Sequence, residues 1–178
     1  MAKRSYPLAK VYGLIEPGPV VLLATAGKTR PNVMTLSWLM PVEFEPPLLA
    51  CLLGAGDYSY GLLRKSRECS LNIPAVELAE QVVAVGNCSG REVDKFAAFG
   101  LATRPAACVG APLLEACYAS LECKVYDSRM ANRYGLFILE VVKAWVDGAV
   151  KNPRTLHHRG MGAFMVAGET IRLKSAMK

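Results

Sequence analysis

The sequence predicts a mainly β fold, a small antiparallel barrel with inserted helices. Short apolar or β-branched runs recur between turns rich in Gly and Pro, the pattern of an all-β domain. Two later segments, 116–126 and 136–146, exceed the usual strand length of about 5–6 residues. That length suits strands wound around a barrel.

In chain order, residues 20–25 read as a first strand after the Pro17-Gly18-Pro19 turn. The cluster Gly27-Lys28-Thr29-Arg30-Pro31 turns it into a second strand, 32–38, so the two make a hairpin. Glu45-Pro46-Pro47 is a break. Residues 48–53 are a continuous apolar run, as in a strand buried on both faces. Gly54-Ala55-Gly56-Asp57 ends it. A helix over 60–67 carries Leu62 and Leu63 inward and its charges outward, a strand over 69–73 stops at Pro74, and a second helix spans 76–85. Ser89 and Glu92, three apart, form a capping box, which predicts a helix running through Phe96 and Phe99 to Gly100. Residues 105–112 are irregular, and the two long strands follow. Gly160-Met161-Gly162 leads into a last hairpin-like pair, 164–167 and 170–173, turned at Gly168-Glu169.

The 178 residues fit one domain over the whole chain, and 52% hydrophobic against 20% charged residues is a globular composition. Mean hydropathy is +0.24, high for a soluble monomer, and a buried subunit interface would absorb the excess. The net charge of +6 suits nucleic acid, an anionic membrane or an anionic small ligand. No run of five basic residues and no nucleic-acid signature occurs, so nucleic acid and membrane are not expected partners. The six cysteines show no CxxC spacing, and several lie in apolar runs, where a thiol behaves as a small buried hydrophobe. Lys3, Arg4 and Lys10 precede an apolar stretch ending in Ala24-Thr25-Ala26, which imitates a secretion signal. Glu16 and the Pro-Gly-Pro turn interrupt it, and no apolar run is long enough to span a membrane, so a reducing cytoplasm is the expected location.

The chain holds no P-loop, no G-x-S-x-G elbow and no metal-ligand constellation. Gly54-x-Gly56 sits between a strand and a helix, but Gly61 comes too late for a dinucleotide fingerprint, so a tight turn explains it. Three places could hold a ligand. The strand at 32–38 carries Asn32, Met34, Thr35, Leu36, Ser37 and Trp38. Free backbone N–H groups, small hydroxyls and a Trp suit a flat heteroaromatic ring, although a plain barrel strand would look the same. Gly54 closes the next strand, and Tyr58 and Ser59 open a helix, whose N-terminal N–H groups favour phosphate unless Asp57 or Ser59 merely caps it. Ser89, Gly90, Arg91 and Lys95 repeat that physics with two cations added.

The order of these motifs carries a resemblance. Arg30-Pro31-Asn32-x-Met34-Thr35-x-Ser37-Trp38, Pro46-Pro47, Tyr58-Ser59-Tyr60, Leu71-Asn72-Ile73-Pro74 and Ser89-Gly90-x-x-x-Asp94-Lys95-Phe96 are similar to the flavin reductase-like family, which includes flavoredoxins. The likeness spans about residues 17–175. It implies a split barrel that binds FMN non-covalently at a homodimer interface. It implies that residues 32–38 lie along the isoalloxazine and ribityl chain, with Tyr58, Ser59 and 89–95 on the phosphate side. His158-Arg159-Gly160 matches a family stretch near the flavin, reached from the partner subunit, with His158 toward the substrate. The implied activity is reduction of FMN by NADH or NADPH, with electrons passed to flavin, ferric iron or a protein. An electron-transfer protein that uses no nicotinamide, and a non-catalytic flavin-binding module, remain alternatives.

Overall fold

A computed structural model describes residues 18–174. Lys3, Arg4, Lys10, Glu16 and Pro17, weighed above in the leader question, lie outside the described residues. Strands β1 (Val21–Thr25), β2 (Asn32–Leu36), β3 (Leu39–Glu43) and β4 (Leu48–Leu52) lead to helix α1 (Tyr58–Ser66) and strand β5 (Glu68–Ile73). A 3-10 turn, Val76–Leu78, runs into α2 (Ala79–Gly86), and the one-turn α3 is Lys95–Ala98. β6 (Thr103–Arg104), β7 (Leu113–Leu114), β8 (Ala119–Asp127), α4 (Ala131–Tyr134), β9 (Leu136–Val146), β10 (Leu156–His158) and β11 (Phe164–Val166) complete the order.

The main sheet has seven antiparallel strands in the order β2-β1-β5-β8-β9-β4-β3. Its two edges, β2 and β3, are consecutive in sequence and separated only by Ser37 and Trp38. A flat seven-stranded sheet would hold its edges roughly 29 Å apart, at about 4.8 Å per gap. Two linking residues reach only about 10 Å. The sheet therefore curls until its edges meet, and because β2 pairs only with β1 the barrel stays split along β2.

All five β1 residues are buried, because both faces of β1 are covered. Val21 and Leu23 point into the barrel with Leu63, Leu71, Phe137 and Leu139. Val20, Leu22 and Ala24 pack outside it against Val82, Val85 and Leu156. The motif residue Asn72 is a structural hub: its Nδ2 donates to the Leu22 carbonyl (3.1 Å) and Ser70 Oγ (3.0 Å), and its Oδ1 accepts from Leu114 N and Ser120 Oγ. Glu122, with no exposed surface, accepts from the Trp145 indole and from the backbone of Ala107 and Cys108. Burial alone would raise its pKa, but the hydrogen bonds outweigh burial and lower it. Gly135, at φ 69°, is required twice over, since a Cβ there would also strike the Leu53 carbonyl.

Three sequence expectations fail. The capping box at Ser89 and Glu92 opens no helix: 89–92 is a turn, and Asp94 caps the short α3 by accepting from Phe96 N and Ala97 N. The last pair is β11 against β10, not against 170–173, which forms no strand. The strand at 32–38 ends at Leu36, and β3, absent from the sequence reading, begins after two intervening residues. All six cysteines are free, and Cys51, Cys69, Cys117 and Cys123 are buried, as small hydrophobes would be. Among the described residues no helix is long and apolar enough to cross a membrane, and no cluster of three metal-ligating side chains occurs.

Candidate functional site

The free edge of β2 is the floor of a groove with two adjoining cavities. The first, ≈ 490 Å³, is lined by Asn32, Met34, Thr35, Tyr58, Ser59, Lys95 and the 85–91 segment. The second, ≈ 280 Å³, is lined by Thr35, Ser37, Val20, Val82, His158 and Phe164. Thr35, Gly86 and Asn87 line both, so the two adjoin along β2 and are together called a channel. From Asn32 to Ser37 the strand rises about 17 Å.

Three distant stretches clasp one another at the Asn32 end. The Asn32 amide Nδ2 donates to Ser59 Oγ (2.8 Å), tying β2 to α1. Arg30 Nη2 donates to the Gly90 carbonyl (3.0 Å). A Cβ on Gly90 would overlap the Asn32 amide and press on the Tyr58 ring, so this turn reaches β2 only with glycine. Arg91 closes the clasp: its guanidinium lies 5.4 Å from the Tyr58 ring centroid and donates to the Gly56 carbonyl (3.0 Å). The motif order in the sequence thus marks segments that hold each other.

This end gathers groups whose chemistry suits an anion. Asp57 is the N-cap of the nine-residue α1, yet its carboxylate turns away to accept from Gly54 N (2.8 Å), and no side chain caps the helix. Tyr60 N donates to the Asp57 carbonyl (3.1 Å), and the first-turn residues Tyr58 and Ser59 line the cavity at the positive end of the helix dipole with no side-chain cap. Lys95 is 5% exposed, and its Nζ donates to the Val85 carbonyl (2.7 Å), which leaves two ammonium donors. Burial lowers its pKa, while Cys88 and Asp57 nearby pull it back up. Arg91 and Ser89 stand at the rim, and Ser89 Oγ accepts from Arg91 N (3.3 Å).

The other end is flat and mostly apolar. His158 faces Phe164 across the β10–β11 pair with ring centroids 5.2 Å apart, and both line the second cavity with Thr35 and Ser37 of the same chain. Thr35 Oγ1 donates to the Val82 carbonyl (2.6 Å), which pins α2 beneath the channel.

Of the residues singled out in the sequence, Asn32, Met34, Thr35, Tyr58, Ser59, Ser89, Gly90, Arg91 and Lys95 line the first cavity, and Ser37 and His158 the second. Leu36 is drawn into the barrel core. Trp38 is 55% exposed and lines neither cavity, and Gly54 serves the turn before α1. Sequence reasoning missed Arg30 as a site residue, although it stood inside a motif, and it missed Asn87 and Cys88. These last two follow a helix end whose position in space no local pattern reveals.

The comparisons with known proteins agree with this fold. The family model described as the flavin reductase like domain matches residues 14–164. An uncharacterized protein of Escherichia coli, YddH, is 33% identical over 172 residues, covering 89% of this chain and 91% of its own. The crystal structure of an FMN-binding domain of a flavin reductases-like enzyme from Shewanella baltica is 28% identical, with a TM-score of 0.83 over 96% of this chain and 97% of that one. The flavoredoxin of Desulfovibrio vulgaris shares the fold at 22% identity, with a TM-score of 0.86 over 99% and 98% of the two chains. The chain belongs to the flavin reductase-like domain family.

Proposed function

We propose that the protein binds FMN non-covalently in the channel along β2 and acts as an oxidoreductase, passing electrons from NADH or NADPH through the flavin to a second acceptor. The observation that carries this reading is the polarity of the channel. Its Asn32 end offers uncapped helix N–H groups, Lys95 and Arg91, the chemistry of a phosphate site. Its Ser37 end offers an apolar slot with hydroxyls at the edge, the chemistry of a flat heterocycle. The spacing between them, about 17 Å, matches an extended ribityl phosphate ending in a fused ring. A single monophosphate site fits FMN better than FAD.

FMN, when bound, supplies the two-electron chemistry. This chain's residues hold the phosphate, line the ring and exclude water. No side chain is needed as a general base. His158 and Phe164, tilted against each other beside the ring slot, are placed to meet a planar co-substrate.

The same reading includes a homodimer. The edge strand β3 exposes Met40 (60%) and Val42, and Phe44 (90%) follows it, with Trp38 preceding it at the open seam. Apolar side chains on a sheet edge mark a covered surface in the assembled protein. Pairing across this edge would roof the channel at its ring end.

Purified protein mixed with FMN without oxygen, then with NADH or NADPH, tests the activity. Fast bleaching of the yellow colour is expected. Protein that bleaches with dithionite but with neither nucleotide is an electron-transfer or storage protein instead.

A further inference from the structure

Five of the chain's 21 Lys and Arg residues gather on one face. Arg64, Lys65 and Arg67 lie at the C-terminal end of α1, and Arg129 and Arg133 lie on the β8–β9 connection; all five are exposed. The two stretches form one surface. Arg67 donates to Ser128 Oγ (2.6 Å) and to the Val125 carbonyl (3.1 Å), Val125 N donates to the Arg67 carbonyl (2.9 Å), and Tyr60 Oη donates to the Ala131 carbonyl (3.1 Å). Asp127, bound to Arg129 at 2.6 Å, is the acid set among them. The net charge of these six residues is +4.

Apolar side chains stand between the cations. Tyr126 (58%), Met130 (43%) and Tyr134 (52%) are exposed on the same connection. Surface arginines ringing exposed aromatic and Met side chains have the composition of a protein-docking face. The cavities of the channel draw no wall from these residues. A second copy of this chain is a poor occupant, because it would bring two such +4 faces together.

The face adjoins the open seam of the barrel. Leu52 N donates to the Trp38 carbonyl (3.0 Å), Leu53 N donates to the Gly135 carbonyl (3.0 Å), and Leu52 pairs with Leu136. Tyr134 and Gly135 are thus two strand spacings from Trp38 at the open seam, roughly 10 Å.

We infer that this face docks an acidic electron-carrier protein. The inference rests on the flavin reading above and names the partner's chemistry for the same site. In the transfer, reduced FMN would give one electron to each of two oxidised carriers and release two protons, and the same contact would carry the reverse step when the carrier is the stronger reductant. The excess positive charge steers the acidic partner, an attraction screened once the Debye length falls toward 10 Å.

The test uses a fluorescently labelled, acidic plant-type [2Fe–2S] ferredoxin as probe and the FMN-loaded full chain. Anisotropy gives the dissociation constant at low and at high salt, and stopped flow gives the rate at which the reduced probe bleaches the flavin. Affinity and rate should both fall at least about tenfold with added salt, and again in the R64E/R133E double variant. Arg64 and Arg133 are exposed and touch only the Tyr60 and Tyr134 rings, so FMN affinity and melting temperature should not move. Probe binding that ignores both salt and charge reversal overturns the docking face. So does a sedimentation coefficient that the double variant changes, which would make the face a contact between copies. Failure of the flavin reading looks different: the probe then binds in a salt-dependent way to a chain that takes up no FMN.

Discussion

Lys95 occupies a place where two demands meet. Its ammonium satisfies the buried Val85 carbonyl and also points into the anion end of the channel. Lys95→Met should therefore act twice. Losing a charge-assisted contact, worth roughly 1.5–3 kcal/mol, should weaken FMN binding at least about tenfold. Orphaning the Val85 carbonyl should cost about 1–3 kcal/mol of stability. Calorimetric titration and a thermal melt check both, and an unchanged FMN dissociation constant removes Lys95 from the phosphate site. The pH dependence has a definite sign. Burial lowers the Lys95 pKa below its ordinary 10.5, so a rising pH discharges it early. FMN affinity should fall on the alkaline side before 10.5 is reached, and the limb should be missing in Lys95→Met. Stability of the free protein should move the opposite way, because the unfolded chain keeps its proton to higher pH than the folded one. Gly90→Ala is the steric counterpart. The added methyl must displace an Asn32 amide already bonded to Ser59, so FMN affinity should drop at least about tenfold with a stability loss of about 1–3 kcal/mol. Wild-type affinity in that variant would show that the 89–91 turn is not held against β2.

Elements place these residues, and the sequence revealed them unevenly. The β1–β2 hairpin, α1 and the long β9 were legible, because alternation, turn clusters and length all pointed one way. β3 was not: Pro41 and a row of exposed positions disguise it, which an edge strand with a bulge tolerates. At Ser89 two caps competed for one helix start, and Asp94 won by serving the turn nearer the apolar Phe96. The three-residue β10, just after Pro153, was too short to read, so β11 was given the wrong partner. Most site residues were legible as motif members, yet their convergence was not, since Asn32 and Ser59 or Arg30 and Gly90 meet only through the barrel's closure. The irregular 105–112 segment is held by carboxylates instead of by a ladder: Glu122 takes Ala107 N and Cys108 N, and Glu68 takes Gly110 N (2.7 Å). The Glu122 pKa is lowered in the fold, so its contribution is present above the ordinary carboxylate value of 4.5 and fades as pH falls through the folded value. Glu122→Gln should lose on the order of 2 kcal/mol at neutral pH and show a shallower acid limb in a melting series. An acid limb as steep as that of the wild type would place the pH sensitivity elsewhere.

At the scale of the whole molecule, a barrel left open along β2 gives a channel that one chain floors and that pairing would roof. If the exposed β3 edge is covered by a second copy, dimer and flavin are linked, because a ligand that binds only the dimer stabilises it. On one dilution series, light scattering and flavin fluorescence should then change at the same concentration. A monomer that retains its flavin would show that one chain builds the site alone, with His158 serving the ring slot of its own subunit. Everything above depends on FMN occupying the channel, and the most direct measurement is a titration of the purified chain with FMN, followed by mass spectrometry of the released cofactor. The expected result is one FMN per chain, tight in the wild type and at least about tenfold weaker in both Lys95→Met and Gly90→Ala. FAD in place of FMN, no flavin at all after reconstitution, or FMN held equally well by both variants would contradict it.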